Sequence, residues 1–248
     1  MYQFFVEPTQ IDGHVITITG TDVNHIKNVL RMKPGEEIAV SNGIDNREYR
    51  CAIESLEEDR IVCRLLFVKE DGLELPARIF LFQGLPKADK MEFIIQKAVE
   101  LGAFEIIPVA TKRIVVKLDA KKAAAKFTRW NAIAEAAAKQ SKRRIIPKVA
   151  ECMSFKQAVE YARGMELKLI PYELSEGMET TKRLIESVCA GWDVAVFIGP
   201  EGGFAEEEIA LAKEAGILPV TLGKRILRTE TAGMTVLSWL MYQLEGQA

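Results

Sequence analysis

Two glycine-bearing segments carry the residues best suited to a binding or catalytic site. The first is Gly199-Pro200-Glu201-Gly202-Gly203, and the second begins at Leu222-Gly223 and continues to Thr229-Glu230. Each follows a short apolar run typical of a buried strand, residues 193–198 and 217–222, and each leads into a helical pattern. Ligands of open α/β sheets bind outside the carboxyl ends of strands, so two such loops outline one pocket. A tight strand-to-helix connection is the structural alternative for one loop alone, and the presence of a second loop favours a site.

The spacing of these loops and the remaining residue types narrow the chemistry. Neither G-x-G-x-x-G nor G-x-x-x-x-G-K-[ST] occurs, which argues against the dinucleotide fingerprint and the P-loop. The four cysteines form no C-x-x-C pair and no metal-ligand cluster is apparent, so we expect buried free thiols and no metal. His14 and His25 are the only histidines and lie far along the chain from the loops. Hydrolysis therefore has little support, and His25 is expected to be structural unless it reaches over the pocket.

The composition predicts a soluble globular protein, and the charge distribution indicates a polyanionic partner. Hydrophobic residues make up 48% of the 248 residues and the net charge is −2. Residues 112–148 nevertheless hold twelve Lys or Arg and two acids, whereas residues 1–72 hold eight basic and thirteen acidic residues. A solvated helix face is the alternative explanation, but the size of the imbalance favours phosphate binding. No membrane span or signal peptide is indicated, so we expect a cytoplasmic protein.

Two regions follow from the hydrophobic patterns. Residues 1–70 predict a small β-barrel with strands at 15–19, 37–41, 47–53 and 60–68, and a helix at 22–30 that Thr21 caps. Residues 71–76 are the predicted linker. The rest alternates strand and helix, which predicts a parallel sheet covered on both faces. Its predicted strands are 77–85, 104–109, 166–171, 193–198 and 217–222, and its predicted helices include 90–101, a long basic helix and 230–244.

The last predicted helix is apolar around most of its circumference. A helix of this kind must be buried on more than one side. Burial within its own domain is one explanation, and packing against a second subunit is the other. We expect a homodimer formed through this C-terminal helix.

The motifs, taken in order, resemble the RsmE family of ribosomal RNA methyltransferases, of the SPOUT superfamily. The resemblance rests on the two loops, Phe197 to Phe204 and Leu222 to Ala232, and extends over nearly the whole chain. Further matching segments are His25 with 29–35, Gln83 with 86–92, 100–102, Pro108, Arg113, 129–130, 135–136 and 140–141. Each of these motifs is weak alone, but in this order they are specific.

The resemblance implies fold, cofactor and reaction. It implies a PUA-like RNA-binding barrel at residues 1–72 and an α/β SPOUT domain with a C-terminal trefoil knot at residues 73–248. S-adenosyl-L-methionine is the implied cofactor, and the implied acceptor is N3 of a uridine in 16S ribosomal RNA within the small ribosomal subunit. The expected cofactor-binding residues are Pro171, Tyr172, Glu173, Ile198, Gly199, Pro200, Glu201, Gly202, Leu222, Gly223, Arg225, Ile226 and Leu227. Ile198, Leu222 and Leu227 are expected to face the adenine ring.

A uridine N3 acceptor sets a demand on the charged side chains beside the loops. The base must be unpaired or flipped, and its imide must lose a proton. Arg228 is the candidate cation for the developing charge on O2 and O4, with an ion pair to Glu201 or Glu230 as its alternative role. Either carboxylate could take the proton, although such residues at a helix start are commonly caps or dipole partners. Solvent is the other acceptor.

The RNA phosphates are expected to meet basic side chains, which position a protein without reading sequence. The expected set is Arg31, Lys87, Lys90, Arg113, Lys122, Lys126, Arg129, Lys139, Arg143 and Arg144. Two other functions stay open at this point. One is a methyltransferase with a different RNA acceptor, and the other is a non-catalytic RNA-binding or ribosome-assembly factor.

Overall fold

The computed structural model describes residues 1–70, 72–113, 120–172 and 177–246, without the side chains of residues 120–122. The chain divides into two compact units. The first consists of Met1–Glu74 together with Ala138–Ile146, and the second consists of Leu75–Ala137 and Pro147–Ala248. The predictions for Glu173 and for the side chain of Lys122 fall outside the described residues.

The first unit is a curled, mainly antiparallel sheet of six strands. The strands are β1 (Gln3–Phe5), β2 (Ile11–Asp12), β3 (Val15–Thr19), β4 (Glu37–Ser41), β5 (Glu48–Leu56) and β6 (Arg60–Lys69). Their order is β1-β4-β5-β6-β3-β2, and only the β1–β4 pair is parallel. Residues such as Ile16, Ile18 and Ile38 alternate into a fully buried core. All four strands predicted for residues 1–70 are therefore confirmed, with shifted ends in β5 and β6.

The helix predicted at residues 22–30 needs correction. The helical segment is α1 (Thr21–Asn24), followed by one π-helical turn, His25–Val29. Its N-cap is Gly20, with φ +74°, and no side chain caps it, so Thr21 is a helical residue and not the cap. A glycine supplies the positive φ that turns the chain from β3 into the helix, which a threonine would tolerate poorly.

The second unit is a parallel sheet with helices. Its strands are β7 (Arg78–Gly84), β8 (Glu105–Ala110), β9 (Lys148–Val149), β10 (Met153–Ser154), β11 (Leu167–Pro171), β12 (Asp193–Ile198) and β13 (Leu218–Val220). Its helices are α2 (Lys90–Glu100), α3 (Ala120–Ser141, of which the last residues belong to the first unit), α4 (Phe155–Tyr161), α5 (Met178–Glu186), α6 (Glu206–Glu214) and α7 (Thr229–Glu245). The strand order is β10-β8-β7-β12-β11-β13, with β9 beside β8.

The central strands are buried almost throughout, which is why they read as continuous apolar runs. Phe82 and Phe197 are register partners on β7 and β12, and their rings stack with centroids 4.4 Å apart. Because every pairing in this sheet is parallel, the carboxyl ends of β7, β11, β12 and β13 lie at one edge. The sheet thus brings the two glycine-bearing loops to the same side. In the described part of the chain, no helix is long and apolar enough to span a membrane.

Candidate cofactor and substrate site

Thr229 joins three segments beneath the loops. Its hydroxyl, nearly buried, donates a hydrogen bond to the Gly199 carbonyl at 2.6 Å and accepts one from Gln83 Nε2 at 2.9 Å. Gln83 Nε2 also donates to the Gly84 carbonyl at 2.9 Å. The start of α7 is therefore bonded to the first loop and to the end of β7 in a site where an unmade hydrogen bond is costly.

The sequence reasoning did not select Thr229 or Gln83 as site residues. Thr229 lies 30 residues from Gly199 and 146 residues from Gln83, so no local pattern connects the three. A polar glutamine at the end of an otherwise apolar strand is the signal that could have pointed to the site. Gln83 is fully buried, and its Oε1 has no hydrogen-bond partner among the described residues.

The first loop is pressed against β7 by its proline. A Cβ on Gly84 would lie 2.6 Å from Pro200 Cδ and 2.8 Å from Pro200 N, which no side chain tolerates. A Cβ on Gly199 would meet the Gly203 backbone and the Phe204 ring at 3.3 Å. Phe204 itself packs into the core of the second unit. The loop is thus a stiff, close-packed turn with no room for a side chain at Gly199.

An ion-pair cluster lies at the same loop. Lys90 Nζ, at the start of α2, is 2.9 Å from Glu201 Oε1 and 3.5 Å from Glu230 Oε2. The hydrogen bond to Glu201 raises the pKa of Lys90. Burial raises the pKa of Glu201, but hydrogen bonds from Lys90 and from main-chain N–H groups outweigh it and hold this pKa below its ordinary value. Glu201 is therefore ionised and bonded at neutral pH, which makes it a weak proton acceptor.

Arg228 is the N-cap residue of α7, and its side chain is exposed. Among the described residues, no carboxylate forms a salt bridge with it, and Lys90 pairs with both Glu201 and Glu230. The ion-pair role considered for Arg228 is therefore filled by Lys90. Arg228 follows the second loop directly in the chain, and its exposed side chain is available to a ligand.

The expected cofactor residues lie at one edge of the parallel sheet, and they differ in solvent exposure. Pro171 pairs with Val220, and the Tyr172 N–H donates to the Val220 carbonyl at 2.9 Å, so this segment adjoins the second loop. Leu222, Gly223 and Leu227 are half-buried there, whereas Arg225 and Ile226 are exposed. Within the described residues, the main-chain N–H groups of Leu222, Ile226 and Leu227 donate no hydrogen bond to the protein. They remain available as donors.

Ile198 departs from its expected role. Its side chain is 2% exposed, and its Cγ1 would lie 3.8 Å from a Cβ on Gly233 of α7. The side chain therefore packs beneath α7, where it cannot face an adenine ring, and only the main chain of Ile198 remains as a ligand contact. Pro200 is likewise buried, whereas Gly202 is exposed and the Glu201 side chain is partly buried.

The basic residues of the second unit are arranged in several ways. Lys87 is exposed, and its main-chain N–H donates to both carboxylate oxygens of Glu201 at 3.2 Å. Arg113 Nη1 donates to the Gly202 carbonyl at 3.1 Å, at the first loop. On α3, Lys126 Nζ lies 5.8 Å from the centre of the Trp130 ring, and Arg129 pairs with Glu92 at 2.7 Å. Lys90 is held by two carboxylates, so it does not present a free charge to phosphates.

The basic residues of the first unit require a correction. Arg143 and Arg144 are 5% and 2% exposed. Arg143 pairs with Glu74, and Arg144 Nη2 lies 3.6 Å from Glu48 Oε2. Buried guanidinium groups held by carboxylates are closed to phosphates, so we remove both from the RNA-contact set. Glu74, expected in a linker, is instead a nearly buried partner of this pair.

The other two basic residues predicted in this unit are exposed or half-exposed. Lys139 Nζ pairs with Asp22 at 3.1 Å, while the Arg31 side chain is exposed on a residue with φ +54°. No cluster of His, Cys, Asp or Glu within the described ranges could hold a metal ion.

Comparison with known proteins matches a domain family to each of the two units. Residues 73–241 match the family described as "RNA methyltransferase domain", and residues 18–66 match "RNA methyltransferase PUA domain". The chain therefore consists of an RNA methyltransferase domain and an N-terminal PUA domain.

Relatives of similar length narrow the class. Ribosomal RNA small subunit methyltransferase E of Bacillus subtilis is 38% identical, over 99% of this chain and 98% of that protein. A crystal structure of the Neisseria gonorrhoeae protein of the same name, bound to S-adenosyl methionine, is 31% identical with a TM-score of 0.85, over 98% of this chain and 97% of that one. A Legionella pneumophila structure with bound cofactor SAM is 35% identical with a TM-score of 0.84, over 97% and 96% of the two chains. The chain belongs to the ribosomal RNA small subunit methyltransferase E family.

Proposed function

We propose that this protein transfers a methyl group from S-adenosyl-L-methionine to N3 of a specific uridine in 16S ribosomal RNA. The observation that carries the proposal is the meeting of the two glycine-bearing loops at one sheet edge, beside the exposed Arg228. Family membership supports methyl transfer to ribosomal RNA, and the uridine N3 acceptor rests on the motif resemblance.

The residues at this edge fit the cofactor. The crowding around Gly199 leaves room for main chain only, which allows a ligand to approach the backbone closely. The N–H groups of Leu222, Ile226 and Leu227 would read the edge of the adenine, and the half-buried Leu222, Leu227 and Tyr172 supply apolar surface. When bound, the cofactor supplies the electrophilic methyl carbon, so the protein needs to supply chiefly alignment.

Arg228 is the residue that we assign to the acceptor base. Loss of the N3 proton places negative charge on the two carbonyl oxygens of uridine, and a guanidinium beside them stabilises that charge. An exposed arginine at the start of α7, without a carboxylate partner in the described chain, suits this role.

Glu201 and Glu230 are better assigned to structure than to proton transfer. Both carboxylates lie against Lys90, and the pKa of Glu201 is lowered. A base with a lowered pKa is a poor match for the weakly acidic imide. We therefore propose that the imide proton leaves to solvent, with Arg228 stabilising the anion that remains.

RNA contacts are proposed for the exposed or half-exposed basic residues. In the second unit these are Lys87, Arg113, Lys126 and Arg129, and in the first unit they are Arg31 and Lys139. Such contacts position the RNA through phosphates, and the PUA domain adds a second RNA-binding module. The small ribosomal subunit is the proposed form in which the target uridine is presented.

Three further properties belong to the same proposal. A homodimer through α7 is supported by Tyr242, which is 82% exposed, and by the half-buried Trp239 and Met241. The trefoil knot of the second unit and the cytoplasmic location stay predictions. Sedimentation of the purified protein tests the dimer, and a monomer at micromolar concentration would contradict it.

Methyl transfer itself is tested with labelled S-adenosyl-L-methionine and small ribosomal subunits from a strain lacking the protein, followed by nucleoside mass spectrometry. The expected product is 3-methyluridine. A different methylated nucleoside would retain the methyltransferase and overturn the acceptor. Binding of RNA without label in any nucleoside would leave a non-catalytic binding factor.

A further inference from the structure

Lys90 connects three segments of the second unit through charge. It is the first residue of α2, and its ammonium group lies within 3.5 Å of carboxylate oxygens from the first loop and from the first turn of α7. The side chain of Lys90 is 30% exposed, that of Glu201 is 27% exposed and that of Glu230 is 18% exposed. Partial burial weakens screening by solvent, so this cluster interacts more strongly than a surface pair.

The chain before α2 is shaped to complete the same contact. Ala88 has φ +54°, a left-handed conformation that a residue with a Cβ adopts at a cost. This turn presents the Lys87 main-chain N–H to both oxygens of Glu201 at 3.2 Å, three residues before Lys90 reaches the same carboxylate. Glu201 is therefore held by main chain and by side chain from one short segment.

We propose that Lys90 is a positioning residue that fixes the loop at residues 199–203 against the first turn of α7, so that the main-chain groups of both loops are preset for the cofactor. The inference rests on the proposed function for the identity of the ligand. Its structural part, the fixing of the loop, stands independently.

Lys90 can fix the loop because its positive charge lies between two carboxylates. With Lys90 present, two carboxylates share one ammonium group. Without it, the same carboxylates face each other in a partly buried site, and like charges at short range repel. The loop and the start of α7 would move apart, and the cofactor would then have to pay the cost of bringing them together.

The first experiment measures S-adenosyl-L-methionine affinity by calorimetry. Lys90→Met keeps an aliphatic chain and removes the charge, and we expect Kd to rise about tenfold or more. Lys97→Met is the matched control. Lys97 lies on the same helix, and its Nζ pairs with Glu100 Oε1 at 2.8 Å instead of with a residue of the loops. Lys90→Arg, which retains the charge, should restore affinity to within about threefold of the unchanged protein. Lys90→Met combined with Glu230→Gln should recover part of the loss, because it removes the repulsion.

The second experiment needs no cofactor. The Gly203 N–H donates to the Pro200 carbonyl at 2.8 Å, so its hydrogen exchange reports opening of the loop. We expect exchange at Gly203 to quicken at least tenfold in Lys90→Met and to stay unchanged in Lys97→Met. If Lys90→Met does not fold, Glu230→Gln, which removes one arm of the bridge, is compared in the same way.

The two measurements separate the two proposals. If the unchanged protein binds no S-adenosyl-L-methionine, the proposed function fails, and Gly203 exchange still decides whether Lys90 fixes the loop. If Lys90→Met matches Lys97→Met in Gly203 exchange, the positioning role is refuted. The role is also refuted if Lys90→Arg fails to restore what Lys90→Met loses.

Discussion

Thr229→Val is the substitution that tests most directly how the site is assembled. Valine keeps the β-branched shape and removes only the hydroxyl, so helix propensity and volume change little. The Gly199 carbonyl then loses its 2.6 Å donor, and Gln83 Nε2 loses its 2.9 Å acceptor while retaining the Gly84 carbonyl. A buried group left without a partner costs about 1–3 kcal/mol, and a lost hydrogen bond about 0.5–1.5 kcal/mol. We therefore expect the second unit to lose about 2–4 kcal/mol of unfolding free energy.

The assay follows tryptophan fluorescence during unfolding in urea. All three tryptophans, Trp130, Trp192 and Trp239, belong to the second unit, so the signal reports that unit alone. Cofactor affinity, measured by calorimetry, should fall with stability, because Gly199 belongs to the proposed cofactor loop. Thr229→Ser keeps the hydroxyl and should recover most of both losses.

The control for this substitution lies on the same helix. Thr235 Oγ1 donates to the Thr231 carbonyl at 2.9 Å, a local bond within α7 that carries no connection between segments. Thr235→Val should change the unfolding free energy by about 0.5 kcal/mol or less. If Thr229→Val and Thr235→Val unfold at the same urea concentration, the reasoning that Thr229 joins the loop, the strand and the helix is refuted.

Four further predictions address the same unit. Gly84→Ala should destabilise the second unit by about 1–3 kcal/mol and weaken cofactor binding, because its Cβ would lie 2.6 Å from Pro200 Cδ. Gly164→Ala is the control, since no atom lies within 4 Å of its Cβ, and it should have neither effect in the same urea and calorimetry assays. Glu201→Gln should destabilise the protein at pH 7, and the difference in unfolding free energy should shrink below about pH 4.5. The lowered pKa of Glu201 contributes stability that is present above its ordinary pKa of 4.5 and is lost as the pH falls through the folded-state pKa. A constant difference in unfolding free energy from pH 7 to pH 3 would contradict this. Arg228→Ala should lower the rate of single-turnover methyl transfer by about 10²–10³-fold, while the cofactor Kd stays within about threefold of the unchanged protein. If only the affinity for the cofactor falls, Arg228 belongs to cofactor binding instead. Lys87→Ala should reduce the slope of log affinity for ribosomal RNA against log salt by about 1, while Lys156→Ala on α4 should leave the slope unchanged in the same filter-binding titration.

Sequence reasoning succeeded where one local pattern decides the outcome. The apolar run at residues 193–198 is a strand with the predicted bounds. A central strand of a parallel sheet is buried on both faces, and every residue of this strand after Asp193 is apolar and buried. The helix predicted at 230–244 is α7, Thr229–Glu245, whose buried side includes Val236, Leu237 and Leu240. The helix predicted at 90–101 is α2, with Met91, Ile94 and Ile95 buried as expected. The glycine motifs, read with the resemblance, indicated the family that the comparisons show.

Sequence reasoning failed where the local pattern was ambiguous. Thr21 has the chemistry of an N-cap, but the chain leaves β3 with a positive φ, and Gly20 takes that position. The run of basic residues ending at Arg143 and Arg144 has the composition of a phosphate-binding surface. Both arginines are nevertheless buried against Glu74 and Glu48, carboxylates that are distant in sequence.

The sequence by itself therefore determined the alternation of strands and helices, the two loops and the family. Those properties depend on residue type and on spacings of a few positions. Only the tertiary structure decided which charges pair and which stay available. Lys90 pairs with Glu201 and Glu230, and the exposed Arg228 forms no salt bridge within the described residues. It also brought Thr229 to Gly199 and Gln83. An ion pair or a buried hydrogen bond depends on distances of about 3 Å between segments far apart in the chain, and the folded sheet alone sets those distances.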